Sequence, residues 1–200
     1  MTPPLLLLLA YFIGAIPFGF LFVKLKTGRD VRSLGSGNIG ATNVLRTSGW
    51  TIAVSTLLLD IAKGYLAVWL MGRFGSSGPA WLSAAAIAVM AGHAYSVFLG
   101  FRGGKAVASF IGAFLYLTPI PLLATLVVFV IVVAFTKHIS LGSVLAAGTF
   151  PLAVWLILHP ALPVILAALL AGAFIVYRHR ANLERVRAGN EHVFRFSGLK

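Results

Sequence analysis

Long apolar segments dominate this 200-residue chain and exclude a water-soluble globular fold. Hydrophobic residues make up 60% of the chain and charged residues only 10%, whereas a soluble domain carries about 25% charged residues. A helix that crosses a bilayer needs about 20 apolar residues, and proline- and glycine-rich breaks divide the chain into seven candidates, two of them short. The predicted spans are 3–23, 50–71, 79–91, 106–117, 120–135, 141–158 and 161–177. The pattern predicts an all-α membrane protein with residues 1–200 as one domain.

The basic residues orient these spans. Fourteen of the sixteen Lys and Arg residues fall in loops or in the tail on one side of the predicted membrane, while Arg73 falls on the other side and Lys63 within a span. Because basic residues collect on the cytoplasmic side, we expect the N-terminus outside, the C-terminus in the cytoplasm and the polar loops on the cytoplasmic face. Topology and anionic lipid then explain the net charge of +12, and no nucleic-acid partner is needed.

The loop after the first span is the strongest candidate for a ligand site. It reads Gly-Ser-Gly-Asn-Ile-Gly-Ala-Thr-Asn over residues 35–43, and an arginine follows at position 46. Glycine permits positive φ and a close approach to a ligand, while the hydroxyl and amide side chains supply donors and acceptors. A plain interhelical turn is the alternative for this loop taken alone. The anion-binding interpretation uses Ser36, Gly37, Asn38, Gly40, Thr42, Asn43 and Arg46.

A second polar cluster lies between the third and fourth spans, on the same predicted side. It begins at His93 and ends in the turn Gly103-Gly104-Lys105. The turn is not a P-loop, because leucine and alanine stand where that motif needs a glycine and a hydroxyl. A Gly-Gly turn that enters a helix with a lysine at the junction favours an anion, and alanine at position 106 suits the start of that helix. His93 is either a general base or a neutral hydrogen-bonding group.

Polar residues also occur within a span and near the end of the chain. Asp60 and Lys63 are three residues apart in the second span, which favours a structural ion pair over a proton relay. Ser143 and the stretch that begins at His179 fall on the predicted cytoplasmic side. The His, Asp and Glu residues have no metal-ligand spacing, and we predict neither a metal nor a cofactor.

Taken together, these segments resemble the bacterial acyl-phosphate-dependent glycerol-3-phosphate acyltransferases, the PlsY type. The resemblance covers nearly the whole chain and is carried by motifs at 35–46, 59–64, 92–109, 140–143, 177–182 and 189–191. The chain departs from the family pattern at three positions. Ser96, Ala106 and Ser109 stand where the family usually has proline, glycine and threonine.

The resemblance implies a multi-pass enzyme of the bacterial cytoplasmic membrane. Such an enzyme transfers a fatty acyl group from acyl phosphate to the 1-hydroxyl of glycerol 3-phosphate, giving lysophosphatidic acid and inorganic phosphate in the first step of phospholipid synthesis. The catalytic set implied is Ser36, Arg46, Lys105, Ser143, His179 and Asn182. The substrate- and phosphate-binding set implied is Gly37, Asn38, Gly40, Thr42, Asn43, His93, Gly103, Gly104 and Glu191.

The expected mechanism is a single displacement without an acyl-enzyme. Lys105 and backbone amides near Gly103 and Gly104 are expected to stabilise the departing phosphate, and either a substrate phosphate or His179 serves as base. The expected partners are the two phosphate substrates and the lipid bilayer, with the oligomeric state left open. The alternative is a transporter of a phosphorylated or anionic small molecule, because broken helices around a polar cavity also occur in transporters. The placement of the polar clusters on one face counts against a transporter.

Overall fold

The computed structural model describes residues 1–194, and over that range it is helical with no strand. The predicted basic tail residues Arg195 and Lys200 lie outside the described residues. The described helices are α1 (Pro3–Ala15), α2 (Phe18–Thr27), α3 (Ala41–Ser48), α4 (Trp50–Phe74), α5 (Pro79–Ala94), α6 (Val107–Leu117), α7 (Pro119–Thr136), α8 (Ile139–Leu158), α9 (Leu162–Arg178) and α10 (Arg180–Arg187).

Five of the described helical segments are long and apolar enough to cross a membrane. They are Pro3–Thr27, which joins α1 and α2, Trp50–Phe74, Pro79–Leu99, which extends α5 through a short 3-10 helix at Val97–Leu99, Pro119–Thr136 and Ile139–Leu158. A sixth is added if α9 and α10, which are bent by 53° at their junction, form one span. Helix α6 has 11 residues and is about 16 Å long, roughly half the thickness of the hydrocarbon core. The all-α membrane fold is confirmed, while the seven spans and their orientation stay predictions.

The first predicted span consists of two helices. Because Pro17 has no N–H to continue the helix, α1 ends at Ala15 and α2 begins at Phe18. Side chains from elsewhere in the chain satisfy the carbonyls at this break. The Ser96 hydroxyl donates to the oxygen of Ala15 at 2.6 Å, and the Lys63 ammonium donates to the next carbonyl, that of residue 16, at 2.8 Å. The break is therefore held by polar groups from α4 and from the segment after α5.

Residues Met1–Leu117 form one compact unit of the chain, called here the N-terminal unit. Two helix pairs within it pack backbone to backbone. A Cβ atom at Gly64 on α4 or Gly112 on α6 would collide with a main-chain carbonyl of the opposite helix, and the same holds for Gly14 on α1 and Gly92 on α5. In lipid, where no hydrophobic force drives helices together, such close approach stabilises the pairs. The pairs bring the polar residues of α4 and α5 into the interior of the unit.

The second compact unit begins at Thr118, and its described part, residues 118–194, is called here the C-terminal unit. Helix α8 packs against α7 on one side and α9 on the other. A Cβ atom at Gly172 on α9 would meet the carbonyl oxygen of Ala147 on α8, so this pair also approaches closely. Helix α10 turns away from α9 at His179 and packs against α8.

Candidate active site

The loop at residues 35–43 is built around the side chain of Asn43. Its Oδ1 accepts a hydrogen bond from the N–H of Ser36 at 2.8 Å. Its Nδ2 donates to the carbonyls of Leu34 at 3.0 Å, Asn38 at 2.8 Å and Val31 at 3.3 Å. The residue is only 1% exposed. Asn43 therefore organises the loop from inside, a role that the sequence motif alone does not distinguish from ligand binding.

Two glycines of the same loop adopt a backbone conformation that other residues rarely take. Gly35 has φ +55 and Gly37 has φ +71. A Cβ atom at Gly35 would also collide with the amide oxygen of Asn43. The Asn38 side chain then accepts from the N–H of Gly40 at 2.8 Å, directly before α3 begins. The glycines predicted to permit close approach are thus required first by the loop's own fold.

Three of the predicted ligand residues face outward from this loop and the helix that follows it. Ser36 and Arg46 are exposed, and Thr42 is half-buried. Thr42 lies in the first turn of α3 and Arg46 in its last turn. A hydroxyl, a helix N-terminus and a guanidinium together suit a phosphate group. Their contact with a substrate stays a prediction.

The first polar loop and the second polar segment share one hydrophobic cluster. Val31, Val44 and Leu99 are buried in it. The Arg32 guanidinium forms an ion pair with Asp30 at 2.8 Å and donates to the carbonyl of Leu99 at 3.2 Å. In the sequence, Arg32 counted only as one of the basic residues that orient the membrane spans. The spacing of Asp30 and Arg32 was the one signal that could have predicted their ion pair. The two loops of the N-terminal unit are therefore tied to each other.

The Gly-Gly turn caps the end of α5. The N–H of Gly103 donates to the carbonyl of Ala94, and the N–H of Gly104 to that of His93, both at 3.1 Å. Helix α5 thus uses these two amides to satisfy its last carbonyls, and the expected role of amides near Gly103 and Gly104 toward a departing phosphate stays a prediction. Lys105 is half-buried at the end of the turn. Its ammonium is the phosphate contact predicted for this turn, and that role stays a prediction.

Ala106 does not begin the following helix, and the expectation that it does so is wrong. It has φ +62 and is fully buried, and α6 starts one residue later, at Val107. Phe101 also has φ +62. Left-handed backbone in residues with a Cβ is costly and concentrates at functional sites. The turn that carries Lys105 is thus bounded on both sides by such residues.

The predicted pair in α4 forms. Lys63 Nζ lies 2.7 Å from Asp60 Oδ1, and both side chains are buried. Lys63 also donates to the carbonyl of Ile16 at 2.8 Å, which agrees with a structural pair. His93 lies beside it, with Nδ1 3.7 Å from the same carboxylate oxygen.

In the C-terminal unit, His179 occupies the corner between α9 and α10 and is buried. Its Nδ1 lies 2.8 Å from the carbonyl of Ile175. Because a carbonyl only accepts hydrogen bonds, Nδ1 carries the proton, and in the neutral ring Nε2 holds the lone pair. The imidazole therefore has the tautomer that a general base acting through Nε2 requires.

Glu191 ties this corner together. Its carboxylate accepts from Asn182 Nδ2 at 2.6 Å and from Arg185 Nε at 2.8 Å. Burial opposes ionisation of the carboxyl, but hydrogen bonds led by that of Asn182, together with the charge of Arg185, lower the pKa of Glu191. The structure thus gives Glu191 the role of an internal support for Asn182, and sequence reasoning missed Arg185.

Ser143 lies in the same unit, within the first two turns of α8, and is buried. Its hydroxyl donates to the carbonyl of Ile139 at 2.9 Å. The oxygen keeps acceptor capacity after that donation. Within residues 1–194, no group of three His, Asp or Glu side chains is arranged to hold a metal ion.

These features define a polytopic helical membrane protein with hydroxyl, amide and cationic side chains suited to phosphate. Comparison with known proteins makes the assignment specific. The family model for glycerol-3-phosphate acyltransferase matches residues 4–189. A glycerol-3-phosphate acyltransferase of Geobacter sulfurreducens is 42% identical over 93% of this chain and 94% of its own length. A glycerol-3-phosphate acyltransferase of Trichlorobacter lovleyi is 44% identical over 93% of this chain and 94% of its own length.

Solved structures support the same family assignment. The crystal structure of PlsY (YgiH), an integral membrane glycerol 3-phosphate acyltransferase, in its glycerol 3-phosphate form is 36% identical, with a TM-score of 0.91 over 96% of both chains. Its lysophosphatidic acid form gives 34% identity and a TM-score of 0.87 over 96% of this chain and 95% of that one. The chain belongs to the glycerol-3-phosphate acyltransferase family, and it is an enzyme of the acyltransferase class.

Proposed function

We propose that this acyltransferase takes its acyl group from acyl phosphate and transfers it to the 1-hydroxyl of glycerol 3-phosphate at the cytoplasmic face of the bacterial cell membrane. The observation that carries the proposal is the match to PlsY structures whose names specify glycerol 3-phosphate and lysophosphatidic acid forms. In this step the hydroxyl oxygen bonds to the acyl carbon and the bond from that carbon to the phosphate oxygen breaks. The phosphate leaves with the electron pair, and the hydroxyl proton passes to a base.

The N-terminal unit supplies the cations that two phosphate groups require. Arg46 is exposed on α3, and Lys105 stands at the end of the turn after α5. An arginine holds phosphate in a fixed two-point geometry, which suits the glycerol phosphate that must be oriented. A lysine acts as a point charge, which suits the charge that develops on the leaving phosphate. Ser36, in the loop before α3, adds a hydroxyl to this set.

The C-terminal unit supplies neutral hydrogen-bonding groups and a candidate base. His179 Nε2, which holds the lone pair, accepts the hydroxyl proton in this proposal. Asn182, held by Glu191, and Ser143 orient polar groups of the substrates. Because acyl phosphate is already an activated anhydride, positioning and charge stabilisation replace a protein nucleophile.

The donor is tested with the purified full chain in liposomes. Palmitoyl phosphate should release inorganic phosphate only when glycerol 3-phosphate is present, with lysophosphatidic acid formed in equal amount. Palmitoyl-coenzyme A serves as the matched control donor. Transfer from the thioester but not from the acyl phosphate would overturn the proposed donor, and a trapped covalent acyl-enzyme would overturn the single displacement.

The proposed topology has seven spans, the N-terminus outside and both polar loops in the cytoplasm. The chain contains no cysteine, so single cysteines can be introduced without removing native ones. Ser33 and Ser77 are both exposed serines, in the loops after α2 and α4. Ser33→Cys should react with an impermeant maleimide only from the cytoplasmic side, and Ser77→Cys only from the outside. Reaction of both from one side would contradict the topology.

A further inference from the structure

A buried ionic cluster in the N-terminal unit contacts the turn that carries Lys105 and has no part in the acyl transfer described above. It consists of Asp60, Lys63 and His93, whose side chains are 3%, 3% and 4% exposed. Ionisable side chains inside a membrane segment are expensive to bury and are functional more often than those at a surface. The contacts of this cluster therefore indicate what it supports.

The imidazole of His93 forms the surface on which Gly104 rests. A Cβ atom at Gly104 would collide with His93 Nε2 and would lie 3.0 Å from Cδ2 and 3.2 Å from Cε1. The main chain of the same histidine accepts a hydrogen bond from the N–H of Gly104 at 3.1 Å. One residue of α5 thus holds Gly104 through both its side chain and its backbone. Lys105 follows Gly104 directly.

The opposite nitrogen of the ring faces a fixed carboxylate. His93 Nδ1 lies 3.7 Å from Asp60 Oδ1, which Lys63 contacts at 2.7 Å. Lys63 in turn donates to the carbonyl of Ile16 at the break between α1 and α2. Contacts therefore run from that break through Lys63, Asp60 and His93 to Gly104.

We propose that His93, whose ring faces the Asp60 carboxylate, is a positioning residue that sets the position of Gly104 and thereby the placement of Lys105. This inference rests on the proposed function in taking Lys105 as a phosphate contact. It gives His93 a supporting role in place of the predicted contact with substrate. A misplacement of about 1 Å in a positioning group is enough to cost about 100-fold in rate.

An exchange of side-chain volume between residues 93 and 104 tests the contact. Gly104→Ala places a methyl group against the imidazole, and we expect turnover to fall about 100-fold. In the double variant His93→Ala/Gly104→Ala that methyl group has space, so turnover should recover at least 10-fold over Gly104→Ala. The two changes are then strongly non-additive, as expected for residues in direct contact. If instead the rate losses of the two single variants multiply to give that of the double variant within about 2-fold, the inference is wrong.

The kinetic constants separate positioning from general loss of structure. His93→Ala should lower kcat while the KM for glycerol 3-phosphate changes less than 3-fold, roughly the limit for an unaffected ground-state contact. Met71→Ala is the matched control, because Met71 is buried on α4, about 16 Å along the helix from Asp60. It should reduce thermal stability and leave kcat per folded molecule unchanged. An equal fall in kcat for both variants would overturn the inference.

The role of Asp60 is tested without leaving a buried charge unpaired. Asp60→Asn/Lys63→Met removes both charges at similar volume, a change that folded proteins often tolerate. If Asp60 holds the ring, kcat should fall about 10-fold in this variant, and Gly104→Ala should cost less in it than in the native chain. Native kcat in the double variant would overturn the part assigned to Asp60.

Lys105→Ala, measured in parallel, separates this inference from the proposed function. If Lys105→Ala loses activity while the 93/104 exchange is additive, only the positioning inference fails. If Lys105→Ala keeps the native rate, the proposed phosphate role of the turn is wrong, and so is the positioning inference that depends on it. Loss of activity in Lys105→Ala with strong non-additivity in the exchange supports both.

Discussion

Asn43 and Glu191 have similar structural roles in two regions of the molecule, with different chemistry. Asn43 holds the first loop through four hydrogen bonds of a neutral amide. Glu191 holds the α9–α10 corner through a carboxylate shared by Asn182 and Arg185. The first region depends on glycine conformation and an uncharged hub, whereas the second depends on charge. Acid should therefore weaken the second support and leave the first unchanged.

The largest expected effect comes from the cations that the first region presents. Lys105→Ala and Arg46→Ala should each lower turnover about 100- to 1,000-fold. This is the loss typical of removing one hydrogen-bond donor that stabilises charge developing in the transition state. Arg46 is exposed and Lys105 is half-buried, so the protein should remain folded. Turnover of purified protein with saturating substrates is the measurement.

Arg102→Ala is the matched control for this prediction. Arg102 is an exposed cation three residues before Lys105 in the same segment. Its loss should change turnover less than about 3-fold, because solvent and salt screen the interaction of an exposed charge with a distant substrate. Equal losses in the Arg102 and Lys105 variants would show that general positive charge, and not a placed ammonium, supports the reaction.

The next effect concerns the hub of the first loop. Asn43→Ala removes four hydrogen bonds and leaves buried main-chain groups unsatisfied, so unfolding should become easier by about 3 kcal/mol. The loss should be the same at pH 7 and pH 4.5, because an amide does not titrate. Thermal unfolding in detergent at the two pH values is the measurement.

The neighbouring Asn38→Ala provides the control for Asn43. Its side chain accepts one hydrogen bond, from the N–H of Gly40, so the expected loss is about 1 kcal/mol. If Asn38→Ala costs as much as Asn43→Ala, the loop has no single hub and the contrast with Glu191 disappears.

Sequence reasoning predicted those parts of the molecule that depend on pattern. Long apolar runs predicted an all-α membrane fold, and the spacing of Asp60 and Lys63 predicted their ion pair. It did not separate supports from ligands, because Asn43 and Ser36 look alike as polar residues of one motif. In the structure Asn43 is buried and supports the loop, whereas Ser36 is exposed and its contact with a ligand stays a prediction. The burial of Asn43 results from how the loop folds back on itself. The contact of His93 with Gly104 likewise arises between residues eleven positions apart.

The support of the second region should fail in acid. Because folding lowers the pKa of Glu191 below its ordinary value of 4.5, its carboxylate stabilises the protein fully above that pH. The stabilisation is lost as pH falls through the lower, folded value. Glu191→Gln should cost about 1–2 kcal/mol at pH 7, and the difference from the native chain should shrink below pH 4.5. A difference that stays constant between pH 7 and pH 3.5 would contradict the ionic support.

The smallest effect concerns the left-handed alanine next to Lys105. Ala106→Gly relieves a strain of about 1–2 kcal/mol but loses a buried methyl worth about 0.8 kcal/mol and adds freedom to the unfolded chain. The free energy of unfolding should therefore change by less than about 1 kcal/mol. Ala108→Gly, at the second residue of α6, relieves no strain and should cost about 1 kcal/mol. Equal losses at the two positions would show that residue 106 is unstrained, and the turn would then owe its shape to α5 and His93 alone.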